Sequence, residues 1–385
     1  SIPAGALYYY FYVYTDKGIS FIDKLFEEEF KICDAGYYLP GGLQGMMCLQ
    51  CEYDTEAGAT ECISCHHYIV EKRKDHNSTV NAISYSKYGN DGLGRLVSGD
   101  ANGNIIALNL QTEQETEYTY HGEYSADNSS INALAFCPYI NRLASGSEDG
   151  TLRIWDADDT YTVNQTLTNH TDAINALLYF PDDISGFSKI LISGSSDKTI
   201  IIWNADNDDN YSVTQTLTGH ADAVNALALS LDGTSLASGD ASGNIKIWNM
   251  NGYGLLQTLS ADTGTTIYSL MYLSDEVVVA GDDIGLKFWD TTDYSVVENE
   301  YGAVFSLSLS PNGNVFAAGS TGGAVSIYNT TPNLGASVDS FIYQIIKSYS
   351  DNGAADVQAL SYSEDGNALA SGDTAQYVNH WWTTC

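Results

Sequence analysis

Three polar residues in the middle of the chain have side chains that can do chemistry. His170, Ser193 and Asp197 are the residue types of a nucleophilic triad, in which a histidine activates a serine hydroxyl and a carboxylate orients the histidine. The sequence contains no Gly-x-Ser-x-Gly elbow, no phosphate-binding loop and no dinucleotide-binding fingerprint. These absences argue against an enzyme, so the elements that carry the three residues must indicate their role.

The stretch from His170 to Asn204 is one copy of a unit that recurs along most of the chain. Each copy has an apolar strand, a second strand that ends in Ser-Gly or Ala-Gly, and a third strand that ends in an aromatic residue in most copies. The apolar first strands are 80–86, 131–137, 174–180, 224–230, 267–273, 304–310 and 357–363. A period of roughly 40–50 residues is typical of propeller blades. The sequence therefore predicts an all-β fold built from seven copies of one unit.

Residues 67–385 resemble a seven-bladed WD40-repeat β-propeller. The resemblance rests on short motifs at the strand ends: Trp155-Asp156, Trp203-Asn204, Trp248-Asn249, Trp289-Asp290 and Gly219-His220. That family often ties a blade together with hydrogen bonds among a His, a Ser, an Asp and a Trp. The resemblance implies one complete bracing set, in the third copy: His170, Ser193, Asp197 and Trp203. In the fourth copy, Ser242 stands where the Asp is expected.

A four-stranded blade needs one strand more than the seventh copy supplies. Residues 67–74, HYIVEKRK, precede the first copy and have no other blade to join. We expect this strand to complete blade seven, because closure removes an exposed sheet edge. Closure would bring Cys385 near Cys65. A Cys65–Cys385 disulfide is therefore predicted, and it could remove about 4–5 kcal/mol of unfolded-chain entropy.

Residues 33–66 form a cysteine-rich segment with too little apolar content to fold without covalent or metal staples. The segment resembles the small disulfide modules of growth-factor-receptor and ephrin-receptor ectodomains. With Cys65 assigned to Cys385, the remaining pairs are predicted to be Cys33–Cys48 and Cys51–Cys62, which are one of the three pairings that four cysteines allow. Cys137 is left over and is predicted to be a buried free thiol.

Zinc binding is the alternative to disulfides in this segment. Cys48-x2-Cys51 and Cys62-x2-Cys65 have the spacing of metal knuckles, and His66 and His67 follow directly. The gap of ten residues between the two knuckles is short for a zinc ribbon, and Cys33 would remain unused. Disulfides are therefore the favoured prediction.

Residues 1–32 are predicted to be an aromatic N-terminal arm, with a strand at Leu7–Tyr14 and a short amphipathic helix at 20–32. The aromatic residues of the strand do not alternate with polar ones, so both faces of the strand must pack against other residues. We expect the arm to contact a neighbouring subunit by strand addition. The contact residues would be Tyr8, Tyr9, Tyr10, Phe11, Tyr12 and Tyr14.

The chain is strongly acidic, with 15 Lys and Arg against 49 Asp and Glu and a net charge of −34. Such a surface repels phosphate backbones and anionic membranes, so nucleic acid is excluded as a partner. No apolar run approaches the ~18 residues that span a bilayer. The acidic loops offer oxygen ligands that calcium prefers, but they lack EF-hand spacing and are better explained as solvated turns. Their carboxylates are Asp156, Asp158, Asp159, Asp206, Asp208 and Asp209.

Disulfides would imply an oxidising, extracellular location, and Ser1 is then explained as the start of a processed chain. Asn-x-Ser/Thr motifs would be N-glycosylation candidates in that location: Asn77, Asn128, Asn164, Asn169, Asn210 and Asn329. The prediction is a secreted, non-enzymatic subunit of an extracellular filament, coat or mastigoneme-like assembly, with copies of itself or other subunits as partners. One alternative is a soluble receptor or ligand-binding ectodomain. The other is an intracellular WD40 scaffold with a zinc knuckle, which predicts bound zinc and free thiols.

Overall fold

The protein is described by a computed structural model over seventeen ranges: residues 12–15, 18–21, 37–38, 49–50, 66–86, 95–109, 114–119, 129–137, 140–157, 161–180, 189–207, 210–260, 264–300, 302–330, 345–350, 355–363 and 365–384. These ranges contain one helical turn, the 3-10 turn Thr321–Gly323. They contain no helix that is long and apolar enough to cross a membrane. Contacts divide the chain into two compact units, residues 1–71 with 381–385 and residues 72–380.

The N-terminal unit contains two short strand pairs. Tyr12–Thr15 (β1) and Gly18–Phe21 (β2) form an antiparallel hairpin, and Tyr37–Tyr38 (β3) pairs with Leu49–Gln50 (β4). The helix predicted to begin at residue 20 is wrong at its start, because Ser20 and Phe21 belong to β2. Residues 7–11 of the predicted aromatic strand, and most of the cysteine-rich segment, lie outside the described residues.

After His66–Arg73 (β5), the described strands follow one another in groups that build seven four-stranded sheets. The first sheet contains Val80–Ser86 (β6), Arg95–Asp100 (β7), Asn104–Asn109 (β8) and Gln114–Thr119 (β9). The second contains Ile131–Phe136 (β10), Arg142–Ser147 (β11), Leu152–Asp156 (β12) and Thr162–Leu167 (β13). The third contains Ile174–Tyr179 (β14), Ile190–Ser195 (β15), Ile200–Asn207 (β16) and Asn210–Leu217 (β17).

The remaining sheets repeat the same order. The fourth contains Val224–Leu229 (β18), Ser235–Asp240 (β19), Asn244–Asn249 (β20) and Leu255–Ser260 (β21). The fifth contains Ile267–Ser274 (β22), Val277–Asp282 (β23), Gly285–Asp290 (β24) and Val296–Glu300 (β25). The sixth contains Val304–Leu309 (β26), Val315–Ser320 (β27), Ala324–Asn329 (β28) and Ile345–Ser350 (β29). The seventh joins Val357–Tyr362 (β30), Ala368–Asp373 (β31) and Val378–Thr384 (β32) to β5, in the order β30-β31-β32-β5.

The first strands of the seven sheets contact one another in sequence, and β30 in turn contacts β6. The seven sheets therefore form a closed cycle with β6, β10, β14, β18, β22, β26 and β30 around its axis. This confirms the predicted all-β propeller, whose sheets are called blades one to seven below. Cys65 and Cys385 lie outside the described residues, so the disulfide predicted to lock the ring stays a prediction.

The Ser-Gly ends of the second strands explain how neighbouring blades pack. A Cβ atom added at Gly239 would lie 2.4 Å from Cγ2 of Ile267, in the first strand of the next blade. At Gly372 the added Cβ would lie 2.5 Å from Cγ1 of Val80. Contacts this short are not tolerated, so glycine allows each second strand to approach the next first strand. The same packing is used between blades seven and one as between blades four and five.

The core consists of apolar clusters between adjacent blades, such as the one that joins Ile154 of blade two to Trp203 and Tyr179 of blade three. Cys137 belongs to this cluster, is 7 % exposed and carries a thiol. The same cluster contains Tyr179 and Tyr211, whose hydroxyl oxygens lie 2.9 Å apart. The other six cysteines of the sequence lie outside the described residues.

Candidate interaction face

His170, Ser193, Asp197 and Trp203 lie together in blade three and are joined by hydrogen bonds. Trp203 Nε1–H donates to Ser193 Oγ over 2.8 Å, and Ser193 Oγ lies 2.8 Å from His170 Nε2. His170 Nδ1 lies 2.8 Å from Asp197 Oδ2. Because the Asp197 carboxylate can only accept, the proton of the neutral His170 ring is on Nδ1. His170 Nε2 therefore accepts from the Ser193 hydroxyl, whose oxygen accepts from Trp203.

The electrostatics of this set keep the histidine neutral and the carboxylate ionised. Burial lowers the pKa of His170, and the Asp197 carboxylate opposes that shift only in part. Burial by itself would raise the pKa of Asp197, but hydrogen bonds from Thr199, Thr171 and His170 together lower it. Ser193 is completely buried, so no substrate can reach its hydroxyl. The set has the chemistry of a brace rather than that of a nucleophile.

Blade four carries a second complete set, which differs from the sequence-based expectation. Here His220 Nε2 lies 2.7 Å from Ser238 Oγ, which accepts the Trp248 Nε1–H over 2.8 Å. The carboxylate is Asp240, 2.9 Å from His220 Nδ1, rather than a residue at the position of Ser242. Asp240 stands two positions earlier in the chain than its counterpart, at the end of the second strand, yet its carboxylate reaches the same histidine nitrogen. Sequence comparison with blade three alone misses it because the spacing differs.

Blade one has the same arrangement without the tryptophan. His76 Nε2 lies 2.7 Å from Ser98 Oγ, and His76 Nδ1 lies 3.0 Å from Asp100 Oδ2. Leu108 occupies the tryptophan position. The signal that finds this set and the one in blade four is the tripeptide Ser-Gly-Asp at 98–100 and 238–240, which places the carboxylate directly after the glycine.

In two other blades a buried cation accompanies the carboxylate. Lys287 Nζ lies 3.1 Å from Asp282 Oδ2 in blade five, and both side chains are almost completely buried. In blade two, the Arg153 guanidinium lies 3.9 Å from Asp149 Oδ2, while Trp155 still donates to Ser145 over 2.8 Å. Lys287 and Arg153 occupy equivalent register positions on the third strand. The buried carboxylate of Asp282 needs a charged or hydrogen-bonding partner, and blade five supplies it from the third strand, whereas Asp149 of blade two is an exposed residue.

All these histidines lie in loops that lead into first strands, and their carboxylates lie at or after the ends of second strands. We call the surface formed by these loops the histidine face. Asn81, Asn132, Asn175 and Asn225, the second residues of the innermost strands of blades one to four, form an asparagine belt beside it. The chain of hydrogen bonds runs from Asn81 to Ser130 (2.9 Å), from Ser130 to Asn132 (2.8 Å), from Asn132 to Asn175 (3.4 Å) and from Asn175 to Asn225 (3.2 Å).

Aromatic residues continue the ring where the asparagine belt ends. Tyr268 and Phe305 occupy the same strand position in blades five and six, with ring centroids 5.0 Å apart in an edge-to-face arrangement. The Tyr268 hydroxyl donates to Asp283 Oδ1 over 2.7 Å. On the belt side, Asn132 Nδ2 donates to Glu148 Oε2 over 3.0 Å. Both carboxylates belong to exposed residues in loops between second and third strands, so the rim of the axis on this face is polar, aromatic and acidic.

The candidate calcium loops hold no metal cluster in their described part. Asp156 forms an ion pair with Arg142, whose Nη1 donates to Asp156 Oδ1 over 2.6 Å. Asp158, Asp159, Asp208 and Asp209 lie outside the described residues. No group of three or more His, Cys, Asp or Glu side chains that could hold a metal ion occurs in the described ranges.

Four segments of the chain match the family "WD domain, G-beta repeat": residues 115–156, 161–204, 211–249 and 295–329. Autophagy-related protein 16 of Arabidopsis thaliana is 27 % identical over 248 residues, which are 62 % of this chain and 45 % of that protein. Protein transport protein sec13 of Aspergillus clavatus is 24 % identical over 194 residues, 46 % of this chain and 63 % of that protein. The match thus spans less than two thirds of either relative. The Protein SEC13 homolog of Drosophila melanogaster is 23 % identical over 246 residues, 58 % of this chain and 67 % of that protein.

These relatives overturn the predicted location and role. The names of the first two refer to autophagy and protein transport, which are processes inside cells, and the third is named as a homologue of SEC13. The prediction of a secreted subunit of an extracellular filament, coat or mastigoneme-like assembly is therefore wrong. The prediction of a glycoprotein modified at Asn77, Asn128, Asn164, Asn169, Asn210 and Asn329 is wrong with it, because it depended on secretion. The cysteine pairings and the contacts of the N-terminal arm stay predictions, but an oxidising compartment no longer supports the disulfides.

The four matched segments fall in blades one to six, where the strand order and the bracing sets described above recur. Proteins with such repeats mediate contacts between proteins, and no catalytic family matches the chain among these comparisons. The chain therefore carries WD40 repeats, and its fold is a β-propeller of the WD40 type.

Proposed function

We propose that this chain is an intracellular, non-enzymatic scaffold that binds partner proteins on the histidine face. The observation that carries the proposal is the rim of that face, where exposed carboxylates stand around the asparagine belt and the Tyr268–Phe305 pair. Glu148, Asp172, Asp222 and Asp283 are all exposed. Lys198, a basic residue of this rim, lies 4.0 Å from Asp222 and donates to the Ala221 carbonyl.

The bracing sets support this role because they hold the loops that carry the carboxylates. Asp172 and Asp222 each stand two residues after a bracing histidine, His170 and His220. A binding surface on preordered loops loses little conformational entropy when a partner docks. An acidic rim favours partners with Lys and Arg, since complementary charge speeds encounter and selects the partner. Aromatic side chains such as Tyr268 and Phe305 are common anchors in interfaces.

The test uses the full chain and two synthetic peptide pools, one rich in Lys and Arg and one rich in Asp and Glu. We expect the basic pool to bind, and binding to fall about tenfold in the variant Glu148→Gln, Asp172→Asn, Asp222→Asn. Each substitution keeps the oxygen that accepts a local hydrogen bond and removes the charge. Fluorescence anisotropy at low salt and at about 0.5 M NaCl measures the electrostatic contribution to the affinity.

The control changes an exposed carboxylate on the other side of the propeller and away from blades four and five, Asp365→Asn in the loop between β30 and β31, and should leave this binding intact. Equal binding of both pools, or an equal loss in both variants, would show that the histidine face is not the docking surface.

A further inference from the structure

The exposed large apolar side chains of the described residues are concentrated on three consecutive blades. They are Val213 on blade three, Leu231, Leu255 and Leu256 on blade four, and Tyr294 and Val296 on blade five. We call this set the outer apolar patch. Blade four is its centre, with Leu231 55 %, Leu255 48 % and Leu256 53 % exposed. Single exposed apolar residues are normal on a protein surface, whereas a cluster on neighbouring elements marks a contact site.

Three members of the patch occupy one equivalent position. Val213, Leu255 and Val296 each stand on an outermost strand directly opposite the tryptophan of the third strand, namely Trp203, Trp248 and Trp289. They therefore lie at the same height on three adjacent blades, at the end where the loop between third and fourth strands meets the sheet. In blade four, Leu256 follows Leu255 at a β-bulge in the pairing with β20, and both leucines are about half exposed.

The outermost strand of blade four, β21, is an edge with one neighbour in its sheet, β20. Its sequence, LLQTLS, contains no charged residue. The corresponding strands of blades one and five, QETEYT and VVENE, each contain two glutamates. Those of blades two and three, TVNQTL and NYSVTQTL, are also uncharged, but only Val213 among their residues is an exposed large apolar side chain, whereas β21 carries two exposed leucines. Charged residues are the usual protection of an exposed edge against strand addition. An edge that lacks them, in a chain of net charge −34, is suited to accept another strand.

The surroundings of the patch are acidic. The loops at this end of blades four and five carry Asp232, Asp275, Glu276 and Asp293, all exposed. The Asp232 backbone N–H donates to Asp275 Oδ1 over 2.8 Å, which joins the loops of the two blades. No Lys or Arg occurs in residues 230–236, 249–256, 273–277 or 290–296. Lys246, the nearest cation on blade four, donates to Thr258 Oγ1 over 3.1 Å, farther along β21.

We propose that β21 is the docking edge for an extended segment of another protein, which adds to blade four as a fifth strand. Its apolar side chains would cover Leu255 and Leu256, and a basic residue would face the loops of Asp232 and Asp275. Main-chain hydrogen bonds along the edge would supply affinity, and the two leucines would supply specificity. A second copy of this chain is the less suitable occupant, because two surfaces with the same carboxylates repel each other. This surface is separate from the histidine face and does not depend on its function.

The test uses the full chain and synthetic peptides of about eight residues that alternate Leu or Val with Thr and carry Lys at one end. We expect binding, with slower hydrogen–deuterium exchange at the amides of residues 255–260. The double variant Leu255→Ser, Leu256→Ser should weaken binding at least tenfold, and peptides with Glu in place of Lys should bind at least tenfold more weakly. Both leucines are half exposed, so the variant keeps the core intact.

Thr166→Ser on the outermost strand of blade two is the control and should not change the affinity, since that strand lies outside the patch. The histidine-face variant should also bind these peptides normally, which separates a failure here from a failure of the proposed function. Absence of binding, exchange protection outside 255–260, or equal binding of the Lys and Glu peptides would overturn the proposal. A dimer in sedimentation analysis that the double variant abolishes would assign the edge to a second copy and would overturn it too.

Discussion

At the scale of single residues, the bracing sets show that carboxylates at different sequence positions can make equivalent hydrogen bonds. Asp197 and Asp240 reach equivalent histidine nitrogens although one lies four residues after its serine and the other two. Lys287 supplies charge to the buried Asp282 carboxylate from the third strand of blade five. Each solution satisfies a polar group that would otherwise be costly to bury.

Asp240→Asn should destabilise the protein by about 2–3 kcal/mol at pH 7. The reason is that the amide NH2 of asparagine would face hydrogen-bond donors, from which the carboxylate oxygen of Asp240 accepts. Asp240 accepts hydrogen bonds from the Asn244 and Ser242 backbones at 2.9 and 3.0 Å and stands 2.9 Å from His220. Hydrogen bonds from these groups hold its pKa well below the usual range despite burial. Because the pKa of Asp240 is lower in the folded protein than in the unfolded chain, its ionised form stabilises the fold at pH values above the unfolded pKa of about 4. The full effect of the substitution is therefore present at neutral pH. Urea denaturation measures it.

Ser242→Ala is the matched control, since it removes one hydroxyl that donates to Asp240 over 2.8 Å. It should cost under about 1 kcal/mol. If the two variants were equally destabilised, the assignment of Asp240 as the carboxylate of blade four would be wrong.

His380 is predicted to make the protein acid-labile. It occupies the third-strand position held by Ile154, Ile202, Ile247 and Ile327 in other blades, directly before the aromatic residue. Burial lowers the pKa of His380 to about 4, and its ring stands 6.1 Å from that of Tyr85 in blade one. The unfolded chain binds a proton near pH 6.5, so stability is lost as pH falls from about 6.5 to 4. The loss contributed by this residue reaches about 3 kcal/mol.

His380→Ile should therefore leave stability at pH 7 equal or higher and reduce the loss between pH 7 and about 4.5. Ile247→His, which places the same group at the equivalent position of blade four, should create an additional loss in the same range. Denaturation midpoints across this pH range give the answer, and parallel pH profiles for His380→Ile and the parent chain would contradict it.

At the scale of elements, the apolar first strands and the Ser-Gly ends of second strands could be located from sequence, because alternation and glycine are local signals. The structure adds the reason for the glycine, which is the close approach of the next blade at Gly239 and Gly372. The secondary structure of the N-terminal segment was harder to predict from sequence. A run of apolar residues fits a helix or a strand equally well, and the pairing of Ser20 with Val13 decides for β2.

The cysteine-rich segment yields a prediction at this scale. A reducing compartment favours thiolates that bind metal over disulfides, so Cys48, Cys51, Cys62 and Cys65 should bind about one zinc per chain. Metal analysis of the purified full chain, with intact mass before and after reduction, measures both outcomes. Cys51→Ala should lose the metal, and Cys137→Ala, a cysteine of the propeller core, should keep it. A mass increase of about 6 Da on reduction would instead support three disulfides.

At the scale of the whole molecule, the number of blades followed from the seven copies in the sequence, and contact of β30 with β6 closes the cycle. The compartment did not follow in the same way. Cysteine spacing and glycosylation motifs are compatible with two environments, since thiols serve either disulfides or zinc. Similarity to proteins of autophagy and protein transport decided against secretion. The net charge of −34 remains a constraint on any partner, which must tolerate or complement an acidic surface.

The sequence by itself determined the repeat, the strands and the class of fold, because these depend on periodicity and on turn residues within about fifty positions. The tertiary structure decided which side chains meet: Asp240 with His220, Lys287 with Asp282, and asparagines from four blades in one belt. It also decided that the exposed leucines of β21 stand among valines and carboxylates of neighbouring blades. Burial and hydrogen bonding between residues five to fifty positions apart depend on how strands and blades pack, and local pattern does not specify that packing.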